Sequence, residues 1–253
     1  MRKYISIIIL VCSFCIWWAC SAEGVVPSNN STATNTGVGG SLAKFAIVGN
    51  FLYVINDIDL KTYDITQPET PKFVGTTAVG WGIETLYPYG KNLFLGSQRG
   101  VYLYEIQPDG KPIQKSFYQH FQACDPVVAS GQYAYSTIRS GFDCRIRDTI
   151  NELHILDVSD INKPVMVSKV KMTNPIGLGI DGNTLFVCDA GLRILDVTDK
   201  KNPRELHHLK DIDAIDVIVL SKHLLIIGTK TLTQVDYKDI AKPVVVSKLP
   251  LKS

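Results

Sequence analysis

Short apolar runs separated by polar turns fill most of this chain, and they fall into groups of four. Between residues 82 and 118 the runs are Gly82 to Tyr89, Asn92 to Gly96, Val101 to Ile106 and Ile113 to Tyr118. The second runs of successive groups are Phe51-Leu52-Tyr53-Val54-Ile55, Leu93-Phe94-Leu95, Tyr133-Ala134-Tyr135, Leu185-Phe186-Val187 and Leu224-Leu225-Ile226-Ile227. They are too short, and too rich in aromatic and β-branched side chains, for helices, so they predict strands. A turn signal precedes each one: Gly49-Asn50, Gly90-Lys91-Asn92, Gly131-Gln132, Asp181-Gly182-Asn183 and Ser221-Lys222.

The third run of each group closes on an acid, and a proline follows seven positions later. The pairs are Asp64 with Pro71, Glu105 with Pro112, Asp157 with Pro164, Asp196 with Pro203, and Asp236 with Pro243. An aspartate oxygen can accept a hydrogen bond from the backbone two residues on, and a proline at the start of an outer strand breaks no ladder. The five acids therefore read as turn formers rather than as a catalytic set. The prolines lie 41, 52, 39 and 40 residues apart, so one unit of about forty residues is used five times. Four antiparallel strands per unit at that period predict an all-β fold, a five-bladed β-propeller over residues 41–253. The polar stretch ahead of Leu42 supplies no obvious strand, so each blade is expected to be continuous. The units resemble the LVIVD repeat of bacterial lipoprotein β-propellers, on segments such as Leu153-His154-Ile155-Leu156-Asp157-Val158-Ser159 and Leu192-Arg193-Ile194-Leu195-Asp196-Val197-Thr198. The resemblance covers about residues 42 to 252, implies the propeller fold, and brings no chemistry with it.

The amino terminus changes the picture. Arg2-Lys3, an apolar stretch from Tyr4 to Trp18, and Ala19-Cys20 form a signal-peptide layout over residues 1–19, too short to span a bilayer comfortably. Trp17-Trp18-Ala19-Cys20 resembles a bacterial lipobox, although Trp17 and Trp18 stand where that pattern has Leu and a small residue. The resemblance implies that Cys20 is lipidated and that the protein sits in the cell envelope, on the outer membrane, facing the periplasm or the cell surface. Residues 20–40 are rich in Ser, Thr, Asn and Gly and read as a flexible tether. Arg2 and Lys3 account for the formal charge of +2, and the rest of the chain is balanced. No basic cluster remains to displace counterions from a nucleic acid.

One interval is longer by about eleven residues, inserted as Ser140 to Ile150 in the third unit. It is charged, with Arg139 just ahead of it and Arg145 and Arg147 among its residues, and it carries Cys144. Of the cysteines beyond Cys20, Cys188 lies in a buried-strand pattern, which leaves Cys124 and Cys144 as the expected disulfide, pinning the insertion beside the channel. No cysteine or histidine spacing suits a structural metal, and no cofactor motif is present.

Polar residues of the inner strands are the remaining candidates: Trp81, Glu84, Asp125, Asn174, Asp211, Asp213 and Asp216. Five-bladed glycoside hydrolases use inner-strand acids, so Glu84, Asp125 and Asp213 form the set to test for catalysis. The alternatives are solvated strand ends or oxygen ligands for a cation. Trp81, Tyr87 and Tyr89 could stack on a ligand, but aromatics dominate burial, and blade-to-blade filling is the favoured assignment. The resulting expectation is a lipid-anchored, non-enzymatic module that binds a protein or glycan through Trp81, Asp125, Arg139, Arg145, Arg147 and Asp211. A glycosidase and a structural scaffold in an envelope complex are the alternatives.

Overall fold

The structure, a computed structural model, describes residues 39–56, 58–120, 126–139 and 150–251. Among the described residues there is no helix, and the strands form five four-stranded antiparallel sheets. The first blade holds β1 (Phe45–Val48), β2 (Phe51–Asn56), β3 (Asp59–Asp64) and β4 (Lys72–Ala78). The second holds β5 (Ile83–Tyr89), β6 (Asn92–Ser97), β7 (Gly100–Ile106) and β8 (Pro112–Gln119). The third holds β9 (Val127–Ser130), β10 (Tyr133–Arg139), β11 (Asn151–Asp157) and β12 (Val165–Lys171). The fourth holds β13 (Pro175–Asp181), β14 (Thr184–Asp189), β15 (Leu192–Asp196) and β16 (Arg204–Leu209), and the fifth β17 (Asp216–Leu220), β18 (His223–Ile227), β19 (Thr231–Asp236) and β20 (Val244–Pro250). Strand order within each sheet follows the chain, so every blade is continuous, as the polar stretch before Leu42 led us to expect.

Antiparallel pairing sorts the loops onto two faces. The blade-to-blade connectors and the turns between second and third strands share one, here the connector face. The acid-to-proline turns lie on the other. There, Asp64, Asp157, Asp196 and Asp236 each accept a backbone hydrogen bond from the residue two positions on, at 2.8–2.9 Å. Each third-to-fourth strand pairing also carries a bulge just ahead of the acid, at Thr62/Tyr63, Leu103/Tyr104, Ile155/Leu156, Ile194/Leu195 and Gln234/Val235. The bulge adds twist where the outer strand must bend away. Glu105 departs from the expected role. Its extra methylene carries the carboxylate past the nearby amide to Lys91 and to Lys115 at 3.1 Å, and Asp109 takes over the turn by accepting from Lys111 N–H at 3.1 Å.

The period-2 alternation of each strand sends one set of side chains toward the next blade. Four apolar clusters result. They join the first blade to the second around Tyr53, Leu60 and Leu93, the second to the third around Phe94 and Leu103, the third to the fourth around Ile155 and Leu185, and the fourth to the fifth around Phe186 and Ile226. Cys188 is a wholly buried member of the last cluster, a small core residue as its strand pattern implies, and burial pushes its thiol pKa well up. Among the described residues no apolar cluster joins the fifth blade to the first. Their link is polar and lies at the axis. The Ser41 hydroxyl donates to Asp216 at 2.9 Å and accepts from Leu178 N–H at 2.8 Å, while Leu42 N–H donates to Asp216 at 3.2 Å.

Candidate functional site

The inner strands of all five blades enclose a central cavity of about 150 Å³, lined mainly by apolar groups such as Leu86, Val128, Leu178 and Val217 and entered by Gly39, Gly40 and Ala43. It is too small and too apolar for a polar ligand of any size. A groove of about 770 Å³ opens instead on the connector face, between the first and second blades. Lys44, Asn56, Ile58, Trp81, Glu84 and Gln98 line it, with buried Ile83 below.

The local sequence explains why Trp81 stands there. It lies in the connector between β4 and β5, between Gly80 and Gly82, whose φ angles of 108° and 72° are left-handed. A Cβ at Gly80 would meet the Tyr102 hydroxyl at 3.0 Å. Two permissive residues thus kink the connector tightly against the second blade and turn the indole outward, where it is 76% exposed. Trp81 is therefore not the interblade filling expected of it. Tyr87 does fill that role, packing against two of the apolar clusters, and the Tyr89 hydroxyl accepts from Gly131 N–H at 2.7 Å in the next blade. Beside the indole, Glu84 accepts from Gln98 Nε2 at 3.0 Å, which leaves carboxylate acceptor capacity facing the groove. Lys44 supplies a cation at the same lip. The groove thus combines a flat apolar face with donors and acceptors of both signs.

The other candidate acids are spent on structure. Asp213 accepts from Thr229 Oγ1 at 3.1 Å and Lys230 N–H at 2.7 Å, tying the connector before β17 to the β18–β19 turn. These hydrogen bonds, the Lys230 amide first, hold its carboxyl below the usual range, so it is not a proton donor near neutrality. Asp216 is buried at the axis under Ser41, and burial raises its pKa against the hydrogen bonds it accepts. Asp211 is exposed, and Asn174 serves through its backbone N–H, which donates to Asp189. Neither lines the groove. Arg139 ends β10, paired with Asn151. Cys20, Cys124, Asp125, Cys144, Arg145 and Arg147 lie outside the described residues.

Two polar constellations were not read from the sequence. Asp189, wholly buried, accepts from Thr173 N–H at 3.0 Å and pairs with Arg193 at 2.9 Å, doing for the fourth blade what Asp213 does for the fifth. At the junction of the second and third blades, Tyr118, His120 and His154 meet edge to face, and His154 Nε2 lies 2.9 Å from Glu152. Burial depresses the His154 pKa, which keeps the ring neutral at pH 7. The only available signal was the i, i+2 spacing of Glu152 and His154, which puts both on one face of a strand. Among the described residues no three His, Cys, Asp or Glu side chains gather to hold a metal ion.

Comparison with known proteins bears on the scaffold rather than the groove. The LVIVD repeat model matches residues 39–79 and 122–172, the segments that hold the first and third blades. No curated protein matches the sequence. Among solved structures, a protein from Lactobacillus plantarum is similar at 14% identity and a TM-score of 0.63, over 79% of this chain and 67% of its own. The periplasmic gluconolactonase PpgL of Pseudomonas aeruginosa is similar at 14% identity and TM-score 0.59, over 79% and 69%. BamB from Moraxella catarrhalis is similar at 12% identity and TM-score 0.54, over 86% and 67%. At such identities the likeness establishes the β-propeller fold alone.

Proposed function

The chain carries LVIVD repeats on a five-bladed β-propeller, and from that premise we propose that it is an envelope-anchored, non-enzymatic binding module that takes a glycan into the groove between its first and second blades. The observation that carries this reading is Trp81, held outward by two left-handed glycines over a groove with polar walls. A sugar ring offers the matching chemistry, with an apolar C–H face for the indole and hydroxyls for Glu84, Asn56 and Lys44. Hydrolysis would require a carboxyl kept protonated opposite a second one across the sugar. Asp213 is held ionised in the connector ahead of the fifth blade, away from the groove, which weakens the glycosidase alternative.

Anchoring follows from the amino-terminal pattern. Cys20 carries the lipid, and the Ser-, Thr- and Asn-rich run behind it is the tether that lets the propeller reach its ligand. Labelled palmitate should enter the protein, and Cys20→Ser should abolish labelling and release the chain from membranes. Binding is tested by calorimetry with envelope polysaccharide fragments. Trp81→Ala should weaken binding by on the order of 2 kcal/mol, about thirtyfold. Equal affinity of the two proteins would refute the groove assignment.

A further inference from the structure

Glu84, Glu105 and Glu152 are the half-buried glutamates among the described residues. Glu105 is neutralised by Lys91 and Lys115, and Glu152 by Lys169 at 3.1 Å. Glu84 has no such cation. Its carboxylate accepts from the neutral amide of Gln98 at 3.0 Å, and among the described residues it enters no ion pair. A carboxylate drawn partly out of water without a countercharge destabilises the free protein, and a ligand that brings the missing cation relieves it through a charge-assisted hydrogen bond. Trp81 beside it favours the same kind of group, because a tryptophan ring attracts an organic cation over its face better than any other aromatic side chain does.

The groove lining divides by hydrogen-bonding sense as well as by charge. Trp81, Glu84 and Gln98 come from the β4–β5 connector and the second blade, and Gln98, which uses an Nε2 hydrogen on Glu84, keeps its amide oxygen for a ligand. This wall accepts. Lys44, Asn56 and Ile58 come from the first blade. Asn56 uses its amide oxygen on Asp59 N–H at 2.9 Å and keeps both Nδ2 hydrogens, and the exposed Lys44 ammonium enters no ion pair among the described residues. This wall donates. Lys44 and Glu84 thus stand on opposite walls of one groove without neutralising each other. A sugar hydroxyl can meet either wall, since it both donates and accepts, but it brings charge to neither.

Resting on the glycan reading of this groove, we infer that its ligand is zwitterionic: a sugar with a free, protonated amino group seated on Trp81 and Glu84, and an acidic substituent that reaches Lys44 and Asn56. The two walls also fix the direction in which the sugar lies, because reversing it sets like charges together on both sides. Acylation of the amine removes the charge that Glu84 meets, so the state of that nitrogen is what the groove reads.

Four sugars separate the two charges. Muramic acid carries both on one ring, N-acetylmuramic acid the acid alone, glucosamine the ammonium alone, and N-acetylglucosamine neither. Calorimetric titration of the full chain slightly below neutral pH, where the amine is protonated, should rank muramic acid first, about tenfold tighter than N-acetylglucosamine. Glu84→Gln should remove the advantage of muramic acid over N-acetylmuramic acid, and Lys44→Gln its advantage over glucosamine, with melting temperatures unchanged. Equal affinity for all four sugars, or an advantage of muramic acid that survives both substitutions, would overturn the inference and leave the glycan reading standing. Binding of none of the four would overturn it too, and titration with envelope polysaccharide fragments then decides whether the glycan reading falls with it.

Discussion

Trp81 shows how much a pair of glycines decides at the scale of one residue. A side chain at position 80 would crowd the Tyr102 hydroxyl at 3.0 Å and strain the left-handed backbone that turns the indole outward. Ser41 is the opposite kind of residue, exposed nowhere and bonded to two blades. Ser41→Ala leaves a buried carboxylate oxygen and a buried amide each short of a partner, which should cost about 2 kcal/mol and lower the melting temperature by about 4–8 °C. Titration separates the acids by sign. Burial raises the pKa of Asp216, so its contribution to stability is present below its unfolded value, about 3.9, and is lost as pH rises through the raised folded value. The turn aspartates, led by Asp64, Asp157 and Asp196, have depressed values, so their contribution is present above about 3.9 and is lost as pH falls through the folded value. Melting temperature should therefore hold or rise on mild acidification from pH 7 and fall below about pH 4. Asp216→Asn should remove the rise and keep the fall. Loss of the acid-side fall in that variant would contradict the assignment.

Among elements, the repeated turn is the part that dictates the rest. Its aspartate, its bulge and its proline all act within ten residues, so four of five turns were legible in the sequence, and Glu105 was misread because one methylene changes what the carboxylate can reach. Blade count and strand order were legible for the same local reason. The polar fastenings were not, because their partners are remote: Asp189 bonds 16 residues back and Ser41 reaches across 175. Nor was the display of Trp81, although Gly80 and Gly82 were the signal for it. Gly110 tests the junction of the first two blades. Its φ is 82°, and a Cβ would meet the Phe51 ring at 2.4 Å, whereas Gly90, at 58°, has open space around it. Gly110→Ala should cost about 1–3 kcal/mol more than Gly90→Ala, because both carry the backbone penalty and only the first adds a clash. Chemical denaturation of the two variants gives the difference directly, and equal midpoints would show that the junction relaxes freely.

For the whole molecule, the propeller separates its tasks by face. Acid-to-proline turns hold one face, the groove opens on the other, and the first and fifth blades are tied at the axis through Ser41 and Asp216. The central claim, that the groove is a glycan site, has a built-in reporter. The tryptophans of this sequence are Trp17, Trp18 and Trp81, so in a chain beginning at residue 20 all indole fluorescence comes from the groove. Its emission should start near that of a solvated indole, given 76% exposure. Titration with envelope polysaccharide fragments should shift that emission to the blue and saturate, and the shift should weaken in Glu84→Gln. An emission maximum that stays fixed across the titration, with the protein folded throughout, would contradict the account.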